Sequence, residues 1–287
     1  MERYAKIRKV LLLVLVLNLA VSFAKIIYGS ITNTLSMQSD GYHSLFDGIS
    51  NITGILGIHI ASRPPDKKHP YGHQKYETLA SVFIAVLLIF VAFEVIIQSI
   101  ERFTRISSPE ITTLSFVVMI LTIGINLSVT TYEKRKGEEL KSEVLVADSM
   151  HTRSDIYVSI SVIAGLLAVK YGYPIVDPLI ALVIAALICK AAFEIIRSSS
   201  GVLCDKAPLD ENLICDIAKQ VPGVLDCHKI RTRGGVGNYH IDLHIWVDPE
   251  MHVDKAHSMS HMVTDKLKEN IDGVDDVVVH IEPCEQK

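Results

Sequence analysis

The sequence predicts an α-helical membrane protein of six transmembrane helices followed by a small α+β domain. Three observations predict it. Mean hydropathy is +0.33 over the 287 residues. Apolar runs of membrane-crossing length recur through the first two thirds of the chain. After Asp205 the pattern changes to short amphipathic and alternating stretches. The expected division is a membrane domain over 1–204 and a cytosolic domain over 205–287.

The first apolar run, 10–31, is broken only by Asn18, Ser22 and Lys25, and Arg3, Lys6, Arg8 and Lys9 precede it. No small-residue cleavage site follows and further runs do, so it reads as a span rather than a signal peptide. Residues 79–97, 111–131 and 174–189 are equally clear, 111–131 being 21 residues without a charge. Two stretches are more polar. Residues 35–61 contain Asp40, His43, Asp47 and His59, and residues 141–169 contain Glu143, Asp148, His151, Arg153 and Asp155. Each has helical length and lies between clear spans, which brings the count to six.

Loop charge orients the six. The N-terminus and the connections 63–75 and 134–141 carry 12 Lys and Arg, whereas 29–34, 102–110 and 170–173 carry 3. The excess marks the cytoplasmic side, which places both termini in the cytosol. The expected location is a prokaryotic cytoplasmic membrane.

In the tail, Leu209, Leu213, Ile217 and Val221 recur at helical spacing, and Pro222-Gly223 signals a turn. Residues 225–231 read as a strand, and His240 to Ile245 alternate strictly as a second. Val253, Ala256, Val263 and Leu267 form another helical stripe, and 277–281 a third strand. The order is αββαβ, a two-layer, ferredoxin-like arrangement.

Charge excludes some classes. Residues 1–200 carry 19 Lys and Arg against 16 Asp and Glu, and residues 201–287 carry 9 against 16. That acidic tail makes nucleic acid an unsuitable partner. Five cysteines without paired spacing suggest no disulfide framework and fit a reducing compartment. No Ser-His-Asp, phosphate-loop or H-E-x-x-H pattern occurs, so an enzyme is not expected.

The two polar spans share one pattern. Asp40, His43 and Asp47 are spaced as D-x-x-H-x-x-x-D, and Asp148, His151 and Asp155 repeat it 108 positions later. That spacing puts all three side chains on one helix face. An ionised Asp at membrane depth costs about 2.5–3.5 kcal/mol on the insertion scale, so four of them call for a cation, a proton or water. Two opposed faces offer two imidazoles and two carboxylates, a set that suits tetrahedral Zn²⁺ and other borderline ions. His43, Asp47, His151 and Asp155 are the expected ligands. Asp40 and Asp148, one turn away, are placed to orient histidines or pass protons. The competing reading is polar glue between helices, which the duplication disfavours.

These motifs resemble the cation diffusion facilitator family over nearly the whole chain. The resemblance rests on H-S-L-F-D at 43–47, H-T-R-S-D at 151–155, D-K-K-H-P-Y-G-H at 66–73 and the histidine-bearing αββαβ tail. It implies a homodimeric, six-span secondary transporter in membrane lipid that exports a divalent metal in exchange for protons. His at both histidine positions is frequent in zinc-dedicated members, whereas manganese-type members tend to have Asp there. The resemblance therefore favours Zn²⁺. Export of Fe²⁺, Cd²⁺, Co²⁺ or Ni²⁺ is the alternative within the family, and a membrane-anchored metal sensor the alternative outside it.

The resemblance also implies a loop site at Asp66, His69 and His73, amid prolines that oppose helix. It implies a cytosolic site at His228, His244, His257 and His280 as well. Glu282 joins that site in place of the family's usual Asp. His240, His261, Cys227 and Cys284 lie close enough in sequence to contribute, and ordinary surface histidine is the bland alternative for any one of them. Lys75 and Asp205 match the family's charge interlock at the membrane boundary. Metal and protons compete for such ligands, because Zn²⁺ needs neutral imidazole and ionised carboxylate.

Overall fold

A computed structural model describes residues 2–31, 35–104, 113–170, 173, 176–235 and 237–284. The chain divides into two compact units, Met1–Ser199 and Ser200–Lys287.

The first unit holds six long helices: α1 (Glu2–Ile31), α2 (Leu35–Ala61), α3 (Lys75–Thr104), α4 (Thr113–Glu139), α5 (Glu143–Lys170) and α6 (Val176–Leu203). Among the described residues, Glu2–Ile27, Lys75–Glu101 and Pro178–Leu203 are long and apolar enough to cross a membrane. The unit is dressed for lipid. Phe90, Phe93, Val183 and Phe193 stand more than half exposed, while Ser22, Asn51, Glu133 and Asp148 are fully enclosed. Exposed apolar residues around a polar interior suit a hydrocarbon surround, where helices associate through packing and internal hydrogen bonds.

Helix direction follows from one polar knot. Arg3, in the first turn of α1, donates to Glu77 in the first turn of α3 at 3.0 Å. It also donates to the carbonyls of Leu140 and Lys141, just ahead of α5, both at 2.7 Å. Ser142 Oγ completes the knot by donating to Glu77 at 2.6 Å. The starts of α1, α3 and α5 therefore share one end of the unit. α2 ends there too, since Gly57 abuts Ala80 near the start of α3. α2 and α5 thus run antiparallel.

Gly57 makes that crossing possible. A Cβ added there would collide with the Cβ of Ala80 and crowd the Tyr76 carbonyl at 3.3 Å. Gly57→Val should destabilise the helix unit by about 1–3 kcal/mol through overpacking. An unchanged thermal midpoint in detergent would refute the close approach. Farther along α3, Val95 packs with Ala181 and Ala185 of α6.

The second unit has α7 (Glu211–Ala218), β1 (Asp226–Gly235), β2 (Asn238–Val247), α8 (Val253–Asn270) and β3 (Val274–Pro283), the expected αββαβ order. Asp210 caps α7 by accepting from the Asn212 N–H at 2.9 Å. β2 is central, antiparallel to β1 and parallel to β3. Its alternation sorts the two faces. Ile241, Leu243, Ile245 and Val247 are buried in the core with Ile214 and Ile217 of α7 and Met259, Val263 and Leu267 of α8. Asp242, His244 and Trp246 take the opposite, helix-free face and are half-buried.

One sequence expectation is corrected here. Cys215 of α7 and Cys227 of β1 are joined as a disulfide, their Cα atoms 5.7 Å apart. Packing α7 against β1 brings together two cysteines 12 residues apart, which spacing alone does not reveal. Cys227 is therefore no free thiolate for the tail histidines.

Candidate metal centres

α2 and α5 carry the repeated motif. The side chains of Asp40, His43 and Asp47, in the first half of α2, lie outside the described residues. On α5, Asp148 is fully buried, His151 is 4% exposed and Asp155 is half-buried. Among the described residues, a contact between α2 and α5 lies one turn beyond Asp47. There Asn51 Nδ2 donates to Asp148 Oδ2, and Asn51 Oδ1 accepts from Asn18 of α1 at 2.9 Å. Positions 43, 47 and 51 recur at one-turn spacing on α2. The Asn51–Asp148 bond sets Asn51 of α2 against the face of α5 that bears Asp148. Because the helices are antiparallel, stepping back from Asn51 and forward from Asp148 moves the same way. At a rise of about 1.5 Å per residue, position 47 then lies level with 151, and 43 with 155. Asn18, Asn51, Glu133 and Thr152 were not anticipated as part of this interior. Asn18 interrupts the first apolar run, and Glu133 closes an uncharged one, which are the only hints the sequence offers.

Among the described residues, two groups of His, Asp and Glu bring their ligand atoms within 4.8 Å of one another. The first is Asp66, His69 and His73, in the connection between α2 and α3. Asp66 Oδ1 accepts from the N–H groups of Lys68 and His69, both at 2.7 Å, which folds the loop back on itself. His69 Nδ1 and His73 Nε2 then stand 3.4 and 3.5 Å from the Asp66 carboxylate. Gly72, at φ +84°, turns the chain in the left-handed region and so returns His73 to the group. The hydrogen bond from the His69 N–H holds the Asp66 carboxyl below its ordinary range, ionised and ready for a cation.

The second group is built by sheet register. His228 pairs with His244 across β1 and β2, and His244 with His280 across β2 and β3, so the three form one row on the helix-free face. Glu282, two residues past His280, reaches back into the row. It lies 2.8 Å from His244 Nδ1, 2.9 Å from His228 Nε2 and 3.7 Å from His280 Nε2. The His244 hydrogen bond, aided by the nearby Lys229 ammonium, holds the Glu282 carboxyl down to about 2. Lys229, at φ +49°, interrupts the β1–β2 ladder beside the site. The Trp246 ring covers His228 at 4.7 Å between centroids.

His257 is not brought to this row within the chain. It lies on α8, which packs against the other face of the sheet, and its Nε2 is 3.2 Å from that of His261. His240 is nearly buried on β2 opposite Arg233, outside the group. Cys284 follows β3, half-buried and outside the disulfide. Lys75 opens α3 in the first unit, and Asp205 follows α6 in the second at φ +53°.

Imidazole and carboxylate groups gathered in the loop between α2 and α3 and again on the tail sheet are equipment for handling a metal ion. The profile of the cation efflux transmembrane domain matches residues 11–204, and that of the cation efflux protein cytoplasmic domain matches 207–284. The chain belongs to the cation diffusion facilitator family.

As a member of that family it is a membrane transporter that exports divalent metal cations, not an enzyme. The chain is 35% identical to the uncharacterized transporter MJ0449 of Methanocaldococcus jannaschii, over 96% of this chain and 98% of that one. It is 29% identical to the manganese efflux system protein MneS of Bacillus subtilis over all of both chains. With the cation-efflux pump FieF of Shewanella oneidensis it shares 30% identity over 88% and 86% of the two chains. A solved MamM-CTD chain is 31% identical over 26% of this chain and 94% of that one, with a TM-score of 0.25.

Proposed function

We propose that this facilitator exports Zn²⁺ in exchange for protons through a four-ligand site of His43 and Asp47 from α2 and His151 and Asp155 from α5. The Asn51–Asp148 hydrogen bond carries the reading. It supports a meeting of the two stripes at this face and level, which is what the reading requires of the two His–Asp pairs. Two imidazoles with two carboxylates favour a borderline ion over a hard one. Metal leaves as protons take the same ligands. If the site opens alternately to the two sides, inward proton flow drives outward metal flow.

The membrane unit in this reading has six spans with both termini in the cytosol, as the loop charges direct. Asp66, His69 and His73 form a loop metal site that is not needed for transport. His228, His244, His280 and Glu282 bind cytosolic metal. A second copy of the chain completes a homodimer and supplies the setting in which His257 joins a shared site. Lys75 and Asp205 are the proposed interlock at the membrane boundary. Metal held by the tails would draw the protomers together and bias the spans.

Manganese is the second reading, favoured by the name of the MneS relative. One assay separates the two. Full-length protein in proteoliposomes is offered Zn²⁺, Mn²⁺, Fe²⁺, Co²⁺, Ni²⁺ and Cd²⁺ under an imposed pH gradient. Zn²⁺ should move fastest, and its flux should rise with the gradient. Transport of Mn²⁺ in preference to Zn²⁺ overturns the zinc assignment, and absence of flux for every ion overturns the transport site.

A further inference from the structure

Two fully buried carboxyl groups stand apart from the proposed metal ligands. Glu133 of α4 and Asp148 of α5 are both 0% exposed. Thr152 Oγ1 ties them together, lying 3.4 Å from Glu133 Oε2 and 3.3 Å from the Asp148 carbonyl. Glu133 therefore reaches α5 one turn from Asp148, in the same enclosed interior. Asp148 Oδ2 accepts from Asn51, whereas Glu133 Oε1 and Asp148 Oδ1 receive no hydrogen bond from any donor among the described residues. Among the described residues, the groups that hydrogen-bond to the pair are neutral, and the buried cation of this interior is Lys25, seven residues beyond Asn18 on α1. α1 and α2 contribute the neutral amides of Asn18 and Asn51, α5 the Thr152 hydroxyl, and the next titratable group along α5 is His151.

Two adjacent carboxylates in a water-poor interior cannot both be ionised, because each raises the cost of charging the other. One proton between the two oxygens that lack a donor removes the repulsion and supplies the missing hydrogen bond. A metal ion suits the place poorly. Asn51 turns its N–H, not its oxygen, toward Asp148.

We propose that Glu133 and Asp148 hold one proton between them as a dedicated proton-carrying site, one helical turn from the metal ligands on α5. The inference rests on the metal-for-proton exchange proposed above. Arrival of a divalent cation near His151 favours loss of this proton, and departure of the cation favours its return. At least one coupling proton is then carried beside the metal ligands rather than on them.

The test uses full-length protein and Zn²⁺, comparing the parent chain with Glu133→Gln and Glu133→Asp. In detergent, Glu133→Gln should bind Zn²⁺ within about threefold of the parent but release about one proton fewer per ion, read with a pH indicator in weak buffer. In proteoliposomes its gradient-driven flux should fall at least tenfold, and Glu133→Asp should restore most of it. Parent-like proton release and flux in Glu133→Gln overturn the pair while leaving the exchange reading intact. A parent flux indifferent to the pH gradient overturns the exchange reading itself, and the proposal with it. If Glu133→Gln does not fold, infrared spectra of the metal-free parent decide. A protonated-carboxyl band at neutral pH that disappears on adding Zn²⁺ supports the pair, and its absence overturns it.

Discussion

Replacing His151 by alanine lowers gradient-driven Zn²⁺ flux by at least about 100-fold, because loss even of a group that merely orients a metal ligand costs 10- to 100-fold. The helix unit should survive the change. His151 is 4% exposed and sits within α5, where alanine is the best helix former, and its neighbours Asp148 and Thr152 keep their bonds to Asn51 and Glu133. Removing a buried polar ring also relieves a desolvation cost, which offsets the cavity left behind. The two measurements are flux in proteoliposomes and the thermal midpoint in detergent. A folded His151→Ala protein that still moves Zn²⁺ at parental rate would refute the role assigned to this residue. An unfolded one directs the question to His151→Gln, which fills similar volume and should fold yet fail to transport.

The second large effect belongs to the tail. Glu282 touches all three histidines of the row, so Glu282→Gln should weaken Zn²⁺ binding there by at least about tenfold. The readout is built in. Trp246 is the only tryptophan of the chain, and its ring packs on His228, so its fluorescence reports the row alone. A parental titration curve in Glu282→Gln would remove Glu282 from the site.

The same residue sets an acid response. Its carboxyl titrates near 2 in the fold against an ordinary value of 4.5, so the folded state favours the ionised form. The stabilisation is therefore fully present above about pH 4.5 and is lost as pH falls toward 2. Metal-free protein should lose tail stability over that window, and Glu282→Gln should flatten that part of the curve. A variant with unchanged acid dependence would show that other carboxylates set it.

The helices and strands were legible because their signals are local. The apolar runs, the 3.6-residue stripe of 209–221 and the alternation of 240–245 are periodicities of neighbouring residues. The structure puts α1, α3, α6, α7 and β2 at those places. The three loop residues were legible for the same reason, since Asp66, His69 and His73 lie within one tight turn. The tail site was legible only as a set of residue types. His228, His244, His257 and His280 look alike in sequence, yet three share a row and His257 stands across the sheet with His261.

What the sequence determined by itself is the succession of elements and the duplicated acid–imidazole stripe, both fixed by spacing along the chain. What the tertiary structure decided is which of these meet. Strand register chose the histidine row, packing of α7 on β1 joined Cys215 to Cys227, and the crossing of four helices enclosed Glu133 with Asp148. Those outcomes depend on residues tens of positions apart coming to rest at one depth and one face. Packing fixes that, and no local period encodes it.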